Sequence, residues 1–214
     1  MATNTLNITW VQQTSIRSTD LKTVTFFNQG TIIYAGGIDG TLLKADATGG
    51  NSPDSWSVTP TGITGTFKTI EMKTQNPSEG VALIETSPGK GQIYKTTDNG
   101  NTWTLFSDAA DTYNSLHFYQ NDNAVFAGYA GGENGVLKKI IGKNNYGLIN
   151  IPGLPTTTLN IAAVYFLSDN EGWVAGNSGT IYHTTNANTG AVTWTPVNTG
   201  ITGVNADFKK IYFK

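Results

Sequence analysis

The chain contains no cysteine, a single arginine and few charged residues of either sign. Without cysteine it forms neither disulfides nor thiolate metal sites, although this leaves the cellular compartment open. Charged residues make up 13% of the 214 residues, about half the usual quarter, so Thr, Asn, Ser and Gly must cover most of the surface. Because the formal net charge is −2, there is no basic field to hold a nucleic-acid backbone, and we expect no nucleic-acid partner.

The sequence also shows no long apolar run, and we expect no leader segment. No apolar run approaches the ~18 residues that span a membrane, so we expect no membrane insertion. The first six residues have neither a basic nor an apolar stretch, and no signal peptide is predicted. The surface composition is typical of extracellular or virion β proteins, and the localisation stays unknown. We interpret the paired lysines Lys138–Lys139 and Lys209–Lys210 as solvated strand faces.

Four sequence landmarks recur along the chain at a near-constant period. The first is an aromatic or apolar residue that opens a short strand, with steps of 46, 47, 45 and 46 residues between Trp10, Trp56, Trp103, Leu148 and Trp194. The second is an alternating strand, centred on Val24, Ile70, Leu116, Val164 and Ile211. The third is a strand that leads into small residues, and the fourth is a strand led by glycine. Helical periodicity is absent, so each period predicts four short strands.

This pattern predicts an all-β fold, a β-propeller in one domain over residues 1–214. Four complete four-stranded blades are expected at about 21–62, 67–109, 113–155 and 161–203. An incomplete fifth blade is expected from the N-terminal strand in 7–15 and the C-terminal strand in 207–214. A β-sandwich would not explain so regular a period.

The incomplete fifth blade leaves three alternatives open. A first and a fourth strand are too far apart to pair directly, at ~4.8 Å per strand position. The chain either forms a ring with a degenerate closing blade, is cut from a longer propeller, or has an open edge that a partner subunit completes. The third alternative predicts a homo- or hetero-oligomer, because exposed strand edges invite pairing.

One turn has the spacing of an Asp-box, a hairpin turn whose carboxylate accepts backbone N–H bonds above a packed tryptophan. Its residues are Thr96, Asp98, Gly100, Thr102 and Trp103. A weaker copy begins at Thr184–Thr185–Asn186 and ends at Thr193–Trp194. We interpret these turns, between the third and fourth strands of a blade, as structural rather than catalytic.

The Thr96–Trp103 turn and the segment Leu167–Thr185 resemble the Asp-box (BNR) repeat propellers, particularly the photosystem II stability/assembly factor-like group. The segment has that group's turn, Gly-Trp, small-residue strand, Gly-Thr-Ile and paired threonines. The resemblance implies a propeller. It implies little about activity, because such repeats occur in sialidases, other glycosidases, receptors and assembly factors.

The sequence argues against catalysis, and no catalytic residue, metal site or cofactor is predicted. Sialidases clamp a carboxylate with several arginines, whereas Arg17 is the only arginine here; the arginine-rich partner surface that the resemblance would imply is missing as well. Two histidines, His117 and His183, lie in predicted strands and make neither a base nor a metal site. A glycosidase needs one carboxylate pair, and no pair stands out among Asp20, Asp39, Glu85, Asp108, Asp111, Glu133 and Asp207.

We therefore predict a non-catalytic binding or structural module for protein partners or surface glycans, or a subunit of a larger assembly. A glycoside hydrolase and a phage or virion structural or receptor-binding component are the alternatives. The ligand face is expected on the loops between second and third strands and between blades. We expect the residues there to bind a ligand through aromatic stacking and hydrogen bonds. They are Tyr129, Asn134, Asn177, Ser178, Asp39 and Glu133, beside the loop Thr156–Thr158.

Overall fold

The computed structural model describes residues 19–27, 32–46, 56–73, 78–107, 109–120, 126–143, 145–155, 157–198 and 207–213. These residues form four antiparallel sheets of four strands, each sheet following the chain order of its strands. The all-β propeller architecture with four complete blades is confirmed.

The four blades have the following strands. Blade 1 contains β1 (Leu21–Phe27), β2 (Ile32–Gly37), β3 (Leu42–Asp46) and β4 (Trp56–Thr59). Blade 2 contains β5 (Thr66–Met72), β6 (Gly80–Ser87), β7 (Lys90–Thr96) and β8 (Thr104–Leu105). Blade 3 contains β9 (Tyr113–Gln120), β10 (Phe126–Gly132), β11 (Leu137–Lys143) and β12 (Asn145–Asn150). Blade 4 contains β13 (Ile161–Phe166), β14 (Gly172–Gly176), β15 (Ile181–Thr184) and β16 (Thr195–Pro196).

Two single turns of 3₁₀ helix, Glu133–Gly135 and Asn177–Gly179, connect the second and third strands of blades 3 and 4. In blade 1 the same connection places Gly40 at φ +66°. Its N–H donates to the Gly65 carbonyl at the entry to blade 2, at 2.6 Å. Because this glycine belongs to the turn, the third strand of the blade begins two residues after it, at Leu42.

The hydrophobic core consists of separate clusters between consecutive blades. Between blades 1 and 2, Tyr34 and Leu42 pack against Phe67, Ile70 and Met72 of β5. Blades 2 and 3, and blades 3 and 4, meet through corresponding clusters. Each fully buried side chain of this size stabilises the fold by roughly 1.5–3 kcal/mol. Neighbouring blades are therefore held together mainly by apolar packing between the faces of their sheets.

The C-terminal segment Asp207–Phe213 lies beside blade 4, where the inner strand of a further blade would lie. The Phe213 ring packs 4.5 Å from the Trp173 ring and 5.2 Å from the Tyr165 ring. The Phe208 N–H donates to the Gly176 carbonyl at 3.0 Å. The segment belongs to none of the four described sheets. The N-terminal strand predicted in 7–15 lies outside the described residues, so closure of the fifth blade stays a prediction.

One face of blade 1 remains open among the described residues. Leu21, Val24 and Phe26 of β1 are 41%, 56% and 65% exposed, whereas Phe67 and Ile70, at the matching positions of β5, are buried. A preceding blade would cover this face. Oligomerisation through the incomplete blade is consistent with it but stays a prediction.

Candidate functional site

Each of the four inner strands carries a β-bulge at the same place, one residue after its first apolar or aromatic position. The irregularities fall between Leu21 and Thr23 in β1, with matching ones in β5, β9 and β13. A bulge leaves one residue without a ladder partner and re-aims its side chain. The four re-aimed residues are Lys22, Lys68, Asn114 and Ala162.

All four bulge residues line the space around which the blades are arranged. The inner strands and the C-terminal segment enclose a cavity of about 640 Å³, here called the channel. A second cavity of about 510 Å³, here called the mouth, continues it at the face where the inner strands begin. The two cavities share Lys68, Asn114, Ala162 and Lys209. Lys209 therefore occupies in the C-terminal segment the place that the bulge residues occupy in the blades.

Small residues bring the second strand of a blade close to the entry of its inner strand. A Cβ on Gly37, Gly132 or Gly176 would lie 2.3, 1.9 or 2.0 Å from the carbonyl oxygen of the residue that precedes the inner strand. No side chain fits at such a distance. The small-residue landmark of the sequence thus fixes the geometry at the rim of the mouth.

Three bulge-position lysines pair with carboxylates at this face. Lys22 contacts Asp20 at 3.0 Å, Lys68 contacts Glu85 at 3.2 Å and Lys209 contacts Asp207 at 3.1 Å. The last two pairs line the mouth. Exposed pairs of this kind contribute little to stability. Their effect is that the mouth presents balanced charge rather than a field of one sign.

Both carboxylates that line the mouth are ionised at neutral pH. The backbone N–H of Gly89 donates to Glu85 at 2.9 Å and, with Lys68, lowers the pKa of that carboxyl despite some burial. The hydrogen bond from Lys209 and the N–H of Ser178 lower the pKa of Asp207. Neither carboxyl holds the proton that a glycosidase general acid must donate.

Three asparagines meet at one side of the mouth. Asn114 Nδ2 donates to Asn160 Oδ1 at 3.4 Å, and the Asn160 backbone N–H donates to Asn177 Oδ1 at 2.8 Å. All three line the mouth. Tyr113, the aromatic residue in the mouth lining, is only 1% exposed. The site therefore offers amide and charged groups, and its lining presents no ring face for a sugar to stack on.

Five of the six predicted ligand residues lie on connections between second and third strands, and one of these five lines the mouth. Asp39, Asn134 and Ser178 hold the same turn position in three blades, at φ +53°, +55° and +57°. They are exposed, and Glu133 adjoins them with partial exposure. Asn177 alone of this set lines the mouth. A ligand role for these residues stays a prediction.

Tyr129 does not present its ring to any ligand, contrary to the expectation of stacking. It is 0% exposed and stacks on Phe166 of blade 4 with 3.4 Å between ring centroids. Its hydroxyl donates to the Asp169 carbonyl at 2.9 Å. The ring is part of the core because the small residues that follow Tyr129 allow the next blade to pack directly on it.

The interpretation of Lys138–Lys139 as a solvated face is also wrong. Lys139 is buried, and its ammonium group contacts the Asp169 carboxylate at 2.5 Å and donates to Asn188 Oδ1 at 3.0 Å. Lys138 pairs with Asp111. Both lysines are neutralised by carboxylates far away in the sequence, which strand alternation alone does not reveal. Among the other predicted carboxylates, Asp108 lies outside the described residues, as do Arg17 and Thr156.

Neither histidine lies in the mouth. His117 Nδ1 accepts the Phe166 N–H at 3.2 Å, and burial lowers the pKa of His117 to about 4. His183 stacks on Trp173 at 4.3 Å and lies 3.3 Å from Glu171. Across the described ranges, no group of three His, Cys, Asp or Glu side chains is arranged to hold a metal ion, and no helix is long and apolar enough to cross a membrane.

The Thr96–Trp103 turn lies at the end of the blade away from the mouth. Asp98 Oδ1 accepts the Thr102 N–H at 2.8 Å, and Asp98 Oδ2 accepts the Thr102 hydroxyl at 2.6 Å. The Thr96 hydroxyl donates to Asp98 Oδ1 at 2.9 Å and accepts the Gly100 N–H at 3.0 Å. The Trp103 indole donates to the Gly100 carbonyl at 2.9 Å. These contacts close the turn on itself, which agrees with a structural role.

The corresponding turn of blade 4 uses an asparagine for the same purpose. Asn186 Oδ1 accepts the Thr193 N–H at 2.9 Å and the Thr184 hydroxyl at 3.0 Å. Asn186 Nδ2 donates to the Ala191 carbonyl at 2.9 Å. The Trp194 indole donates to Pro152 instead of to its own turn.

Sequence reasoning missed the bulge residues, although the sequence contains their signal. In every inner strand the apolar and aromatic positions are spaced by three and then by two, as in Phe67, Ile70 and Met72. The spacing recurs at Phe208, Ile211 and Phe213. Strict alternation gives two and two, so the extra residue marks a bulge.

The comparisons with known proteins support the fold. No family model matches the chain, and no curated protein matches it. Among solved structures, it is similar to YCF48 from Cyanidioschyzon merolae, with a TM-score of 0.65 and 15% identity over 95% of this chain. The chain spans 66% of the length of that YCF48 chain. A second match, a structure of YCF48 bound to D1 peptide, has 17% identity over 94% of this chain and 74% of that chain, with a TM-score of 0.44.

Proposed function

We propose that this propeller is a non-catalytic module that binds an extended segment of a protein partner in the mouth. The carrying observation is the repeated bulge, which directs Lys68, Asn114 and Ala162 from three inner strands into the mouth, beside Lys209 of the C-terminal segment. The rigid blades hold these side chains in place at little entropic cost, which favours binding. The mouth volume of about 510 Å³ suits a few residues of a peptide.

The chemistry of the mouth favours peptide over glycan. Asn114, Asn160 and Asn177 supply amide groups that match a peptide backbone, and the lysine–carboxylate pairs balance one another. Sugars are usually held on an exposed aromatic ring, and among the described residues no exposed ring lines the mouth. The phage or virion alternative has only the composition to support it. The chemistry of the mouth therefore carries the proposal.

A random-peptide display selection on the purified chain tests this function. Ala162→Trp fills the mouth from a half-buried bulge position without removing a polar group, so the selected peptides should lose binding by at least about tenfold. Thr185→Trp, on an exposed position at the opposite face, is the matched control and should bind as the unmodified chain does. Circular dichroism of both variants checks the fold.

Two results would contradict the proposal. Peptides that bind the Ala162→Trp variant undiminished would place recognition outside the mouth. Hydrolysis of a polysaccharide by the purified chain, abolished by Glu85→Gln, would make the protein a glycosidase.

A further inference from the structure

Below the mouth, each inner strand contributes one side chain to the same level of the channel. Three residues after each bulge position stand Thr25, Glu71, His117, Tyr165 and, in the C-terminal segment, Tyr212. All five line the channel. The ring-shaped arrangement of blades therefore gathers one carboxyl, one imidazole and two phenols at one depth, here called the Glu71 level.

Glu71 is the member of this level whose charged group has no partner among the described residues. No described residue donates a hydrogen bond to its carboxyl or pairs with it. Burial raises the pKa of Glu71 to about 7. The Glu71 side chain is only partly exposed, and a proton or a cation stabilises a carboxylate in such a desolvated place. The side chain lines an open cavity, so a ligand is able to reach it.

The surroundings of Glu71 leave room for a cation. Lys22, Lys68 and Lys209 line the channel nearer the mouth, and each is already paired with a carboxylate. Lys210 of the C-terminal segment also lines the channel, and it is exposed. His117 accepts a backbone N–H through Nδ1, and burial keeps its pKa at about 4, so it is neutral at physiological pH.

Aromatic rings form the opposite wall. Tyr165 stacks on His117 with 4.3 Å between ring centroids and meets Tyr212 edge-on at 6.4 Å. Tyr212 is 74% exposed. Ring faces attract ammonium groups and cover their methylene chains. One carboxyl opposite aromatic rings is the chemistry that binds an organic ammonium ion.

We propose that the Glu71 level binds a small alkylammonium ion, whose N–H groups donate to the Glu71 carboxylate while its chain lies against Tyr165 and Tyr212. The site is independent of the peptide in the mouth. A free amine and a lysine side chain of a protein share this chemistry. Binding of a simple amine and of a lysine derivative distinguishes the two.

The experiment measures binding of n-butylammonium chloride by calorimetry. The controls are n-butanol, which has a similar chain without the charge, and sodium chloride at the same ionic strength. Saturable butylammonium binding that neither control reproduces is expected. Glu71→Gln keeps the shape of the side chain and should weaken binding by at least about tenfold, since a charge-assisted hydrogen bond is lost. Glu79→Gln, at a carboxylate paired with Lys73, is the matched control and should bind normally. Nα-acetyl-lysine methylamide then tests the lysine source.

Unchanged binding by Glu71→Gln, or equal binding of n-butanol or sodium, would overturn the proposal. A second measurement uses the unmodified protein alone. Carbon-13 NMR of the glutamate carboxyls should show the pKa of Glu71 falling when butylammonium saturates the site, and an unchanged titration would also overturn it. Peptide selection on Glu71→Gln should still yield mouth binders, so this proposal and the proposed function fail separately.

Discussion

Replacing Asp98 by alanine removes the acceptor around which the Thr96–Trp103 turn closes. Three hydrogen bonds to the carboxylate are lost, two from Thr102 and one from the Thr96 hydroxyl. A hydrogen bond contributes roughly 0.5–1.5 kcal/mol net, and at this exposed site the freed donors turn to water. We therefore expect a loss of about 2 kcal/mol in the free energy of unfolding. For a chain of this size, that lowers the Tm by roughly 4–8 °C.

Asn186 supplies the matched variant, because it does in blade 4 what Asp98 does in blade 2. Asp98→Asn keeps an Oδ1 acceptor for the Thr102 N–H and loses mainly the hydroxyl contact to Oδ2. We expect it to cost about 0.5–1 kcal/mol. Urea denaturation followed by tryptophan fluorescence measures all three proteins, and an unchanged m-value shows that the change is in stability.

The pH dependence of the Asp98 contribution has a definite sign. Burial alone would raise the pKa of Asp98, but hydrogen bonds from Thr102 and Thr96 outweigh it and hold the pKa below its usual 3.8. The stabilisation is therefore complete above pH 3.8 and is lost as the pH falls through the folded-state pKa. The advantage over Asp98→Asn should shrink in acid. Equal losses in Asp98→Ala and Asp98→Asn at neutral pH, or no loss in either, would refute the reasoning.

Three further predictions concern the blades and the channel. Gly132→Ala places a Cβ 1.9 Å from a backbone oxygen and should lower the free energy of unfolding by about 3 kcal/mol or prevent folding. In Gly147→Ala no atom lies within 4 Å of the new Cβ, so its Tm should stay within a few degrees of that of the unmodified chain. Asp169→Asn leaves the buried lysine beside it without a counter-charge and should cost about 1–3 kcal/mol in urea denaturation, discounted for the partial exposure of Asp169. The raised pKa of Glu71, about 7 against 4.5, makes stability fall as pH rises between those values, while the lowered pKa of His117, about 4 against 6.5, makes it rise. The urea midpoint should therefore increase with pH more steeply in Glu71→Gln than in the unmodified chain, and it should decrease with pH in His117→Gln. Profiles parallel to that of the unmodified chain would contradict this assignment.

The sequence by itself determined the blades and their turns. A strand needs alternation within a few residues, and the Thr96–Trp103 turn closes through contacts between residues no more than four positions apart. Such local interactions are encoded by local residue order, so the period and the four-stranded blades follow from the sequence. The bulge is encoded as well, in the spacing of three and then two between apolar positions. We interpreted these strands from the sequence as plain alternation.

Only the tertiary structure decided which side chains are accessible and which meet. Tyr129 and Lys139 have the pattern of surface residues, yet blade 4 covers the first and supplies Asp169 to the second. The mouth and the Glu71 level bring together residues about one period apart, and no local pattern relates an asparagine in one blade to a lysine in the next. Their proximity follows from packing the blade faces around a common axis, which is a property of the whole ring rather than of any segment.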